Sequence, residues 1–312
     1  MTDSYERIRS AFGAGKPGYK AFIPYLVAGD PDIRASMEII RAAVTGGADM
    51  IEIGIPFSDP TAEGPVIQDA SARALEAGTT TDKVFQMVRC LRAGREFVEA
   101  GAEPGASQAH PASQNTEASA SDRPEGLAPK QADATDGARL APVNVPLCVM
   151  TYANVVFSYG TRRFMQACAD AGIDALILPD VPLEERDEFA RVSDEFGIGL
   201  VPLVAPTSAD RIADIARAAT GWVYVVSSLG VTGMRSHITT DLGAITDVVR
   251  RNCDLPCAIG FGVSTPEQAA HSAQFADGVI VGSAIVNLVA RHGADAPRHV
   301  EDFVRQMVAA IR

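Results

Sequence analysis

No apolar run in the 312-residue chain approaches the ~18 residues of a membrane span. The opening stretch, MTDSYERIRSAF, is polar and periodic, so no signal peptide is expected. Clustered metal ligands are missing as well. The five histidines are scattered, and none pairs with an acid at ligand spacing. Cysteine is sparse: Cys90, Cys148, Cys168, Cys253 and Cys257 have the spacing of neither a zinc site nor a disulfide framework. They are expected to be reduced and mostly buried, which points to the cytoplasm. Positive charge is short, with 27 Lys and Arg against 39 Asp and Glu, a net charge of −12. That balance argues against nucleic acid or an anionic membrane as partner. It leaves room for a phosphorylated small molecule, which needs only a local positive field.

What the chain does have is one alternation, repeated. AFIPYLVAG is apolar and β-rich, and DIRASMEIIRAAVTGG follows with helical spacing. MIEIGI, PLCVMTYA, DALILPD, GLVPLVAPT, WVYVVSS, CAIGFGV and GVIVGS continue the series, each followed by a helical or turn-forming stretch. About eight near-continuous apolar strands imply burial on both faces, as in a parallel sheet. Eight units over this length predict a single-domain (β/α)8 TIM barrel spanning residues 1–312 rather than an open doubly wound sheet. An open sheet would also want a G-x-G-x-x-G turn after its first strand, and LVAGDPDI has none.

One segment stands apart. Val98 to Thr151 contains no Phe, Tyr or Trp. Its Ala, Ser, Pro, Gly and charged residues cannot bury enough apolar surface to offset the entropy of ordering. Glu99–Leu140 is therefore expected to be a low-complexity, disordered insertion. It lies between a helix and the third strand, on the N-terminal face of the barrel and away from the chemistry.

The stretch IEIGIPFSDPTAEGPVIQDA carries the acids. Glu52 falls inside an apolar strand, where an unpartnered carboxylate costs several kcal/mol. Such a group is a structural acid at the barrel mouth or an acid–base residue with a raised pKa. Glu63 lies in the following loop, where pattern alone reads as a solvated acid. Three glycine-containing turns, SSLGVTGM, IGFGVS and VGSAIV, follow the sixth, seventh and eighth predicted strands. Together with the helix opened by GSAIVNLV they form a candidate phosphate cradle.

IEIGIPFSDPTAEGPVIQ, PYLVAGDPD, MTYANVVFSYG, LPDVPLEE, YVVSSLGVTG, IGFGVSTPEQ and VIVGSAIV closely resemble, in order, the signatures of the tryptophan synthase alpha chain family. The resemblance covers the chain apart from Glu99–Leu140. It implies a TIM barrel and a lyase of tryptophan biosynthesis that cleaves indole-3-glycerol phosphate to indole and glyceraldehyde 3-phosphate. By resemblance, Glu52 is the acid–base residue at indole C3 and the glycerol hydroxyl, and Glu63 is the carboxylate facing the indole N–H. The usual Asp-Gly-Pro is Glu63-Gly64-Pro65 here. The extra methylene moves the carboxylate by about 1.5 Å, in a setting where misplacement by ~1 Å changes rates. Asp59 is the substitute if Glu63 does not reach.

The resemblance also places Tyr224 near the reacting acid. It puts Thr232, Gly233, Phe261, Gly262, Gly282 and Ser283 at the phosphate, and Tyr25, Ile67, Met150, Tyr152, Ile177 and Asp180 around the indole. It implies no cofactor or metal in this chain, and a beta-chain partner that carries pyridoxal phosphate, in an alpha-beta-beta-alpha complex. Alternatives are a stand-alone indole-releasing lyase and a catalytically weak subunit that mainly activates its partner. A phosphosugar isomerase barrel fits the paired acids less well.

Overall fold

In a computed structural model, residues 3–14, 16–99, 140–207, 209–227, 241–260 and 262–312 are described. The strands are β1 (Ala21–Val27), β2 (Ile51–Gly54), β3 (Leu147–Met150), β4 (Ala175–Ile177), β5 (Gly199–Val201), β6 (Leu203–Val204), β7 (Val223–Val226), β8 (Cys257–Gly260) and β9 (Gly278–Val281). Their order in the sheet is β5-β4-β3-β2-β1-β9-β8-β7-β6. Every pairing is parallel.

The segments β5 and β6 are two parts of one stave, interrupted at Pro202. Proline has no N–H to give to the ladder, but its carbonyl accepts from Tyr224 N at 3.0 Å. One half of the stave pairs with β4 and the other with β7, so the ring closes there. Nine segments thus make the eight staves expected of the barrel.

Side chains alternate across the staves. Phe22, Ile51, Ile53, Leu147, Val149 and Leu176 pack outward into a cluster shared with the helices. Ile23, Tyr25, Cys148, Ala175, Ile177, Tyr224 and Ile280 fill a second cluster inside the barrel. This interior is a packed core, not a pore.

The helices are α1 (Asp3–Ala11), α2 (Ile33–Thr45), α3 (Pro65–Glu76), α4 (Thr81–Ala93), α5 (Ala153–Tyr159), α6 (Thr161–Ala171), α7 (Asp187–Phe196), α8 (Ala209–Arg217), α9 (Leu242–Asn252), α10 (Pro266–Ala273), α11 (Ser283–His292) and α12 (Ala296–Ile311). Side-chain caps start several of them. Asp32 accepts from Ala35 N at the head of α2, and Thr80 from Lys83 N at the head of α4. The acid-rich stretch after β2 is a shorter loop than its sequence suggests, because α3 begins at Pro65. Proline at the first helical position loses nothing there, since that N–H has no partner within the helix.

At the N-terminal face, Asp174 is fully buried. It bonds Arg7 at 2.7 Å, Arg92 at 2.6 Å and the amide of Leu147 at 2.8 Å. Arg92 also donates to the carbonyls of Gly172, Val143 and Val145. These bonds tie α1 and α4 to the starts of β3 and β4. Leu140, the last residue of the expected insertion, donates its amide to Gly94 just beyond α4. Residues 100–139 lie outside the described residues. All five cysteines are free thiols, and among the described residues no helix is long and apolar enough to cross a membrane.

Candidate active site

Register brings the first acid into place. Glu52 on β2 pairs with Tyr25 on β1 and with Cys148 on β3, so all three share the barrel interior. Glu52 has no exposed surface, and among the described residues neither carboxylate oxygen has a hydrogen-bond partner. Burial, with the Glu63 charge adding to it, pushes this carboxyl up to about 8. Two glycines make room for the neighbouring phenols. A Cβ at Gly54 would lie 2.2 Å from the Tyr25 hydroxyl, and one at Gly260 would lie 2.4 Å from the Tyr224 hydroxyl.

The loop from β2 to α3 delivers the second acid. Glu63 is 7 % exposed, so it is no solvated loop residue. Its backbone carbonyl accepts from Gln68 Nε2 at 2.7 Å, which folds the loop onto the first turn of α3. Burial pushes the Glu63 carboxyl up to about 7, and a hydrogen bond from Tyr152 pulls against that rise. Asp59 is exposed and bonds Ser58 instead; it does not line the cavity. The buried phenols of Tyr25 and Tyr224 are pushed well above their ordinary range by burial and by the acids.

Both acids open into one cavity at the carboxyl ends of the strands, with about 560 Å³ of empty space including its mouth. Tyr25, Ile67, Met150 and Tyr224 line it. Gly262, Gly282 and Ser283 line it too, behind β8 and β9. Gly282 precedes α11, whose first amides lack partners within the helix and present a positive end to the cavity.

Three expected pocket residues stand off this wall. Ile177 is buried inside the barrel. Tyr152 sits behind Glu63, with its hydroxyl 3.0 Å from the Ala62 amide. Asp180 lines a neighbouring groove and bonds the Ala153 amide. Thr232, Gly233 and Phe261 lie outside the described residues. Sequence reasoning missed Ala62, Pro179, Val263 and Ile280, which also line the cavity. Ala62, Pro179 and Val263 stand in or beside recognised motifs, and Ile280 shares the inward alternation of β9. Among the described residues no cluster of three His, Cys, Asp or Glu could hold a metal.

A closed parallel barrel, with acids and a helix N-terminus converging on one cavity at its carboxyl end, defines a (β/α)8 protein with a site of enzyme type. The family model described as "Tryptophan synthase alpha chain" matches residues 13–98 and 125–311, and the chain belongs to that family, which gives it a lyase role in tryptophan synthesis. It is 39 % identical over 293 residues to the tryptophan synthase alpha chain of Lacticaseibacillus casei, covering 94 % of this chain and 92 % of that one. It is 41 % identical to that of Lactiplantibacillus plantarum, covering 94 % and 93 %. Among solved structures, the tryptophan synthase alpha chain of Legionella pneumophila aligns with a TM-score of 0.75 at 31 % identity, over 100 % of this chain and 98 % of that one. Tryptophan synthase of Mycobacterium tuberculosis aligns with a TM-score of 0.74 at 29 % identity, over 99 % and 96 %. The family match skips residues 99–124, which fall within Glu99–Leu140.

Proposed function

We propose that the chain cleaves indole-3-glycerol phosphate to indole and glyceraldehyde 3-phosphate by a retro-aldol reaction, as a carbon–carbon lyase. The observation that carries this reading is a pair of buried carboxylates in one cavity, which the positive end of α11 also faces. Glu52, kept neutral by burial, delivers its proton to indole C3. The ring nitrogen becomes positive, and the ionised Glu63 stabilises its N–H. The Glu52 carboxylate then takes the glycerol hydroxyl proton. The carbon–carbon bond breaks, its electron pair returns to the indole ring, and an aldehyde forms. Glu52 ends the cycle protonated, so protons balance.

Gly262, Gly282 and Ser283 hold the phosphate, with Thr232, Gly233 and Phe261 proposed alongside them. Tyr25, Ile67, Met150 and Tyr224 shape the space for the ring, while Ile177 backs the site from inside the barrel. The solved relatives of Mycobacterium tuberculosis are titled tryptophan synthase, and the family assignment supports a beta-chain partner that carries pyridoxal phosphate and receives the indole. We place the chain in the cytoplasm, as one domain with an insertion within Glu99–Leu140. Purified chain mixed with indole-3-glycerol phosphate tests the reaction. Indole accumulation is expected, faster with a beta chain present. No indole with or without that partner would leave only the partner-activating reading.

A further inference from the structure

Three loops at the carboxyl end of the barrel meet on Tyr152, which is 4 % exposed. Its ring packs against Phe57, with centroids 5.1 Å apart and planes tilted by 35°. Its hydroxyl accepts the Ala62 amide at 3.0 Å. Phe57 and Ala62 belong to the loop that carries Glu63, so one side chain grips that loop at two points. The hydroxyl that accepts this amide still has one proton to donate, and its influence on the neighbouring Glu63 carboxyl is to lower it.

Tyr152 is held in turn. It precedes α5 but offers that helix no side-chain cap. The cap comes from the loop after β4 instead, where both carboxylate oxygens of Asp180 accept from Ala153 N at 3.1 Å. Neither Tyr152 nor Asp180 lines the cavity, so both stand one layer behind the chemistry. A glutamate has one more rotatable bond than an aspartate, and therefore more positions to restrict. We propose that Tyr152, held by Asp180, is the positioning residue that fixes the Glu63 carboxylate for the reaction. This rests on the lyase reading above.

The charged and titratable groups facing Glu63 are Glu52 from β2, Tyr25 from β1 and Tyr152 at the head of α5, with Asp180 acting on Tyr152 from behind. Of these, Tyr152 is the group whose hydrogen bond favours the ionised carboxylate. Losing that bond raises the Glu63 pKa further and leaves the longer side chain free to turn.

The test uses the full chain as wild type, Tyr152→Phe, Glu63→Gln and the double variant. Indole release is measured across pH, alongside thermal melting and a carbon-13 titration of the Glu63 carboxyl. Tyr152→Phe is expected to lower kcat by about 10- to 100-fold with little change in KM. The acid limb and the carboxyl midpoint should both move to higher pH. In the Glu63→Gln background the same change should cost less than about 2-fold, since coupled residues are not additive. Asp180→Asn should shift the carboxyl midpoint in the same direction by less. Equal losses in both backgrounds, or a rise in KM with the acid limb unmoved, would overturn the inference. If the wild type releases no indole, the lyase reading fails and the carboxyl titration alone decides.

Discussion

Glu52 is placed where the fold gains least from it. An ionised carboxylate with no partner in a barrel interior is costly, and here the carboxyl stays neutral up to about 8. The unfolded chain ionises this group in the ordinary carboxylate range, so the penalty is absent in acid. It grows as pH rises and is complete above about 8, where it reaches on the order of 5 kcal/mol. Glu52→Gln has no such titration. That variant should gain thermal stability over wild type near pH 9 and much less near pH 5, as melting at both values would show. It should also lose indole release by a factor of hundreds or more while still binding substrate, because an acid–base group contributes roughly that much. Near-normal release would remove Glu52 from the mechanism. This residue was legible in the sequence, since a lone acid among isoleucines has few ordinary explanations. Glu63 was not legible from pattern alone. Its loop reads as solvated, and only the fold closes Tyr152, 90 residues away in sequence from its Ala62 partner, over it.

Among the elements, the N-terminal face supplies stability that the site does not. Asp174 joins α1, α4 and β3 through Arg7, Arg92 and the Leu147 amide. Removing one side of a buried ion pair strands the other. Asp174→Asn should therefore destabilise the fold by on the order of 3 kcal/mol in denaturant titration, with KM for substrate unchanged. A change in KM without loss of stability would contradict the division between a stabilising face and a catalytic one. Joining Glu99 to Leu140 by a short linker should leave activity and melting nearly as in wild type, because the removed stretch lacks core residues. The sequence shows the strands well, as each is a short apolar run. It shows α3 poorly, because Gly64 and Pro65 read as turn residues and the helix has no side-chain cap.

For the molecule as a whole, repetition in the sequence announces the barrel, and the register of its staves makes the site. Closure at Pro202 is invisible in the sequence, where GLVPLVAPT reads as one unbroken strand and nothing shows that its two halves pair with different neighbours. The three loops that converge behind Glu63 are equally hidden, because their partners are distant in the chain. In the proposed mechanism, cleavage needs Glu52 protonated and Glu63 ionised in the same cavity. Burial sets those carboxyls to about 8 and about 7, so the productive state occupies a narrow window between them. Its most direct test is the pH dependence of kcat/KM for indole release, which reports the acid and base of the free enzyme. A bell with limbs near those two values is expected, and loss of the bell's activity in Glu52→Gln. A rate flat from pH 5 to pH 10, or limbs in the ordinary carboxylate range, would contradict it.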